Sequence, residues 1–125
     1  MTATAYLDTF ANDNLPPREQ WPELLFELDE LAYPERLNCA AELLDKMVAD
    51  GHAGSVAIRG ASVTWTYAEL LEKVDRIAGV LRDEMKLVTG NRVLLRGANN
   101  PMMAASVLAV WKAGLIAVPT MPLLR

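Results

Sequence analysis

The chain has 125 residues, 52% of them hydrophobic and 22% charged, with a formal net charge of −4. That balance excludes a disordered tail and leaves room for one globular domain. A single cysteine, Cys39, excludes an internal disulfide, and the N-terminus lacks the basic and apolar regions of a secretory signal, so a cytoplasmic location is expected.

Residues 1–36 read as an N-terminal arm. Asn12-Asp13-Asn14 and Pro16-Pro17 are turn signals, and Pro22 and Pro34 prevent a long helix. Trp21, Leu24, Leu25, Phe26, Leu28 and Leu31 are too apolar for a free tail, which predicts a short helical turn or two around residues 18–28, packed on something. Charge divides along the chain: residues 1–50 hold 11 acidic and 3 basic side chains (net −8), residues 51–125 hold 5 and 9 (net +4). Docking of the acidic arm on the more basic remainder explains this, and a nucleotide-facing surface is the sharper alternative. No basic stripe with interleaved aromatics is present, so no nucleic-acid partner is expected.

Asn38 can cap a helix over about 39–49, with Cys39, Ala40, Leu43, Leu44, Met47 and Val48 on one buried face and Gly51 as its stop. Ser55–Arg59 and Val63–Thr66, separated by Gly60-Ala61-Ser62, predict a hairpin. Thr66-Tyr67-Ala68-Glu69 matches a capping box, and the Thr66 hydroxyl should contribute about 1 kcal/mol. Leu70, Leu71, Val74, Ile77, Ala78, Leu81 and Met85 form an apolar stripe to about residue 84, with Glu69–Lys73 and Glu72–Arg76 pairs on the wet side.

Arg92–Arg96 has the apolar density of a strand buried on both faces. Asn99 or Asn100 can cap the next helix, with Pro101 at its first position, and Gly114 stops it before an apolar run from Leu115 to Val118. Strand, helix, strand in about 30 residues is a parallel βαβ unit. The fold class expected is therefore α/β, with a hairpin and a parallel βαβ unit whose sheet is incomplete. The apolar stretch 101–119 is interrupted by Lys112 and Gly114 and is shorter than the roughly 20 residues of a membrane span, so no membrane partner is expected.

Chemistry is sparse. There is no GxxxxGK[ST] loop and no GxGxxG after the first buried strand; Gly97-Ala98-Asn99-Asn100 stands in that place with one glycine and a helix cap. His52, the only histidine, reads as a surface residue and Cys39 as a small core residue. Ser106 has no base near it in sequence, Met102 and Met103 read as core filler, and Trp111 as a packing anchor worth ~3–5 kcal/mol. No catalytic, cofactor-binding or metal-binding residue is assigned.

Several motifs nevertheless resemble a known family. Thr64-Trp65-Thr66-Tyr67-Ala68-Glu69-Leu70, Gly90-Asn91-Arg92-Val93, Ala109-Val110-Trp111-Lys112-Ala113-Gly114 and Ala117-Val118-Pro119 resemble, in order and spacing, segments of the AMP-forming acyl-CoA synthetases of the adenylate-forming superfamily. In the arm, Asp8-Thr9-Phe10, Asp13-Asn14-Leu15-Pro16-Pro17, Trp21-Pro22 and residues 33–38 (YPERLN) resemble the start of benzoate-type ligases, most closely 2-aminobenzoate–CoA ligase. Two departures stand out: Asn91 replaces the family's usual Asp, and Lys86 stands where relatives often end the long helix with Gly.

The resemblance implies a parent enzyme that activates an aromatic carboxylate with ATP and Mg²⁺ and transfers it to coenzyme A, as in aromatic degradation. It implies that residues 37–125 open the acyl-adenylating domain, truncated before the family's phosphate loop, adenine and Mg²⁺ contacts and C-terminal lysine. The fragment alone is then expected to be inactive, to bind no cofactor itself, and to have the remainder of the parent chain as its partner. An exposed sheet would also allow self-association. The alternative is a stand-alone noncatalytic α/β module that binds a partner or a small molecule.

Overall fold

The computed structural model describes residues 4–123. The arm opens with a single turn, α1 (Phe10–Asp13), followed by short 3₁₀ turns at Arg18–Gln20 and Asp29–Leu31 and otherwise extended backbone. A helical stretch then occupies residues 39–52, with wide i→i+5 turns at Ala41–Asp45 and Val48–His52, until Gly51 turns left-handed at φ 91°. The hairpin is β1 (Val56–Arg59) and β2 (Thr64–Thr66), and the long helix α2 (Tyr67–Gly79) continues through a wide turn at Val80–Glu84. The βαβ unit follows as β3 (Arg92–Arg96), α3 (Pro101–Lys112) and β4 (Ile116–Thr120).

β1 and β2 pair antiparallel, with an irregularity between Val56 and Ile58. β3 and β4 pair parallel, in a register running from Arg92 opposite Ile116 to Arg96 opposite Thr120. The mixed α/β class and both sheets agree with the sequence reading. The core lies between the helices: Leu44, Leu70, Val74, Ala78, Ala105 and Ala109 form one cluster, and Leu81, Val110 and Leu115 carry it toward the parallel sheet. Three alanines at the seam let α2 and α3 approach closely, so Val74 and Ala109 are fully buried.

The local signals at the helix ends act as read. Thr66 Oγ1 accepts from Glu69 N (3.3 Å) while Glu69 Oε2 accepts from Thr66 N (2.8 Å), completing the capping box. Asn100 Oδ1 accepts from Met103 N at 3.0 Å, with Pro101 beside it as the first helical residue. Asn38 Oδ1 accepts from Ala40 N (3.1 Å) and Ala41 N (3.2 Å), and its amide donates to Trp111 O and Lys112 O, so one side chain starts one helix and ties down the end of another. Gly114 ends α3 at φ 73°, and Lys86 is left-handed at φ 57°.

Other expectations are corrected. β3 is covered on one side only: Val93 and Leu95 face the core, whereas Leu94 is 66% exposed, because α3 packs against a single face of the two-stranded sheet. Cys39 and Leu43 are exposed, not buried. The wide turns replace the 3.6-residue spacing and bring Ala40, Leu44 and Val48 inward at four-residue intervals. Met85 lies beyond the end of the buried stripe and is exposed. Glu69 is engaged in its cap, and its expected partner Lys73 lies over the Trp65 ring instead, 4.9 Å from the centroid. The Glu72–Arg76 pair forms as expected.

Within residues 18–28 only Arg18–Gln20 turns; Pro22 interrupts the backbone donors, and Leu24, Leu25, Phe26 and Leu28 are exposed rather than packed on the body. Docking of the acidic arm on the basic remainder is carried, among the described residues, by the salt bridge from Asp8 to Arg92. No helix among the described residues is long and apolar enough to cross a membrane.

Candidate functional site

Three places bring functional side chains together. The first is the turn Gly97–Asn100 at the carboxyl end of β3, where open α/β sheets ordinarily receive ligands. Its Asn100 is spent as an acceptor for the helix itself. Met103 N is held by both the side chain and the carbonyl of Asn100, Ala104 N also leans on that carbonyl, and Pro101 has no N–H. Ser106, one turn on, donates its hydroxyl to Met102 O at 2.8 Å, so it is a back-bonded helix serine rather than an activated nucleophile. Met102 is 48% exposed beside it, which corrects its reading as core filler.

The second is a charge cluster that sequence spacing could not reveal. Lys112 Nζ, at the end of α3, lies 2.6 Å from Asp45 of the wide helix and 2.5 Å from Asp75 of α2. Burial lowers the lysine's pKa, but hydrogen bonds and charge from the two aspartates outweigh it and hold the pKa above the ordinary value. A permanently charged, doubly engaged ammonium clamps three helices; it is not poised to exchange protons.

The third is a cleft of about 550 Å³ at the amino ends of β3 and β4. Its floor is Thr89, Trp111, Gly114 and Leu115, one wall is the chain from Glu35 to Cys39, and its roof is Thr4, Ala5, Tyr6 and Asn12 of the arm. Trp111, read as a packing anchor, is 38% exposed and lines this cleft.

The roof is strapped down at one turn. Leu7 N and Asp8 N both donate to Thr89 O (3.1 and 2.9 Å), and Leu7 N also reaches Thr89 Oγ1. The Asp8 carboxylate receives Phe10 N (3.0 Å), Asn91 Nδ2 (2.7 Å) and Arg92 (2.5 Å), and the Arg92 guanidinium lies 4.6 Å from the centroid of the Phe10 ring. The Phe10 N–H first, then the Asn91 amide and Arg92, hold the Asp8 carboxyl below the usual aspartate range.

His52 is exposed at the end of the wide helix, as expected. Among the described residues, no three His, Cys, Asp or Glu side chains converge as metal ligands. The geometry of the described residues thus offers a scaffold, a charge clamp and a cleft, but no constellation of nucleophile, base and oxyanion donors.

Comparisons with known proteins place this scaffold. No curated protein matches the chain, but solved structures do. The N-terminal subdomain of Klebsiella oxytoca NpsA superposes with a TM-score of 0.64 at 25% identity, covering 71% of this chain and 23% of that one. MatB from Rhodopseudomonas palustris gives 0.64 at 28% identity over 70% of this chain and 17% of its own. The anthranilate CoA ligase AuaEII gives 0.68 at 20% identity, over 74% and 17%, a likeness of fold. The chain therefore spans about a fifth of the length of the proteins it resembles, and its architecture is that of the N-terminal subdomain of adenylate-forming enzymes. With the AMP-binding enzyme profile matching residues 45–125, from the Asp45 of the lysine clamp through β4, the chain belongs to the AMP-binding enzyme family.

Proposed function

We propose that this chain is the N-terminal part of an ATP-dependent aryl-CoA ligase. The whole enzyme would activate an aromatic carboxylate of the 2-aminobenzoate or benzoate type as an acyl-adenylate and transfer it to coenzyme A. The observation that carries the adenylate-forming part is the family match over residues 45–125. ATP use is supported by the ATP-bound structure of MatB. The aromatic substrate is supported by the arm, whose benzoate-ligase-like motifs lie outside the matched residues, together with the fold likeness to an anthranilate CoA ligase solved with anthranoyl-AMP.

Adenylation converts a poor carboxylate leaving group into a good one, and it requires cations and backbone donors around the phosphate. The described residues do not fit ATP, Mg²⁺ or coenzyme A. Met103 N, the helix donor that follows Gly97–Asn100, is taken by the Asn100 cap, Lys112 is held by two aspartates, and no described acidic cluster could hold Mg²⁺. No step of the reaction is therefore assigned to them. Their contribution is a packed scaffold for the remainder of the parent chain, in the cytoplasm, and by itself the 125-residue chain should be inactive.

The test is the protein purified from its native source, weighed intact and assayed with Mg-ATP, coenzyme A and either 2-aminobenzoate or benzoate. A mass several times 13.7 kDa with aryl thioester formation is expected. Thioester formation from aliphatic acids alone would overturn the aromatic assignment. A native mass of 13.7 kDa with no thioester would favour the noncatalytic module.

A further inference from the structure

We propose that the cleft at the amino ends of β3 and β4 is a small-molecule site for a compact, uncharged aromatic ligand, and that residues 4–10 are its lid. The volume, about 550 Å³, lies within the usual range of ligand pockets. Trp111 presents a partly exposed indole in the floor, and Tyr6, Leu37 and Leu115 add apolar surface around it. An indole left open to a cleft offers a stacking surface for a planar ring. The charged lining residues are Glu35 and Arg36, of opposite sign and neither in an ion pair among the described residues, so the lining selects no net charge.

The lid character follows from where the strap is fastened. The polar contacts that hold residues 5–8 to the body converge on Thr89, Asn91 and Arg92, within one four-residue segment. Gly90 is the seat: a Cβ there would come within 2.2 Å of Asp8 O and 2.8 Å of Tyr6 Cβ, so the strap lies directly on bare backbone. The strap also precedes the matched family residues. A roof attached at one seat can lift without unpacking the helix core, because none of the core-cluster residues belongs to it.

Cys39 lines the cleft and is the chain's only cysteine, which makes it a reporter of occupancy. The experiment measures maleimide labelling of Cys39 in the full chain while 4-fluorobenzamide is titrated, with benzoate and benzylamine as charged counterparts. The expected result is saturable protection by 4-fluorobenzamide, matched by saturable line broadening of its fluorine signal, with weaker protection by either ion.

Removal of residues 1–9 should weaken binding by about tenfold while helix content and the melting transition persist, because a preorganised roof is lost. Should that truncation fail to fold, Thr89→Val removes the hydroxyl that binds Leu7 N and should weaken protection in the same direction. Absence of saturable protection at millimolar probe overturns the site. Preferential protection by either ion overturns the ligand class, and equal protection with and without the strap contacts overturns the lid.

Discussion

Asn91 shows how one residue can depart from a family pattern for a physical reason. Its Oδ1 accepts from Val88 N (3.0 Å), a turn-closing role that an aspartate would fill equally well, while its Nδ2 donates to the Asp8 carboxylate. The usual Asp would set two carboxylates against each other at that second contact. Asn91→Asp is therefore expected to destabilise the chain by about 1 kcal/mol in urea unfolding, with recovery when Asp8→Asn restores a donor. The lowered pKa of Asp8 fixes the sign of a pH effect. The strap's charged contacts are complete above the ordinary aspartate value of about 4 and are lost as pH falls through the lower folded value. Asp8→Asn should flatten that part of the acid-stability profile. Lys86 is the other departure, and its left-handed backbone carries the penalty of a side chain where glycine fits. Lys86→Gly should raise stability by about 0.5–1 kcal/mol, read as a shift in urea midpoint at unchanged slope.

At the scale of elements, the helices are specified locally but assembled by contacts that sequence order conceals. Capping at Thr66 and Asn100 places the starts of α2 and α3 on the residues read from sequence, because each cap needs only neighbours within three positions. The Lys112 clamp joins residues 67 and 37 positions away, and no local spacing predicts it. Lys112→Met should cost about 2 kcal/mol, since it leaves two carboxylates facing each other and one oxygen of Asp45 already has no partner. Thermal melts of both proteins measure the loss.

For the whole molecule, the parallel sheet has an uncovered side. Leu94 and Val118 are exposed there, as are Leu24, Leu25, Phe26 and Leu28 along the arm. An apolar strand face of this kind drives association unless another layer covers it. The 125-residue chain by itself should sediment as a concentration-dependent mixture of species, and Leu94→Lys should shift it toward monomer. A monodisperse wild-type monomer would refute that expectation.

The sequence by itself determined the element order, the caps, the glycine stops and the α/β class, because periodicity and terminus chemistry act over a few residues and leave a direct imprint on composition. It also carried the family resemblance in its motifs. Only the tertiary structure decided which apolar residues are buried. Cys39, Leu43, Leu94 and Trp111 all have core-like chemistry, yet each is exposed because burial requires a partner surface. The wide turns of residues 41–52, the three-helix lysine clamp and the cleft under the strap were likewise invisible in sequence. They arise from contacts between distant segments, and the free energy of such contacts belongs to the fold rather than to any local stretch of chain.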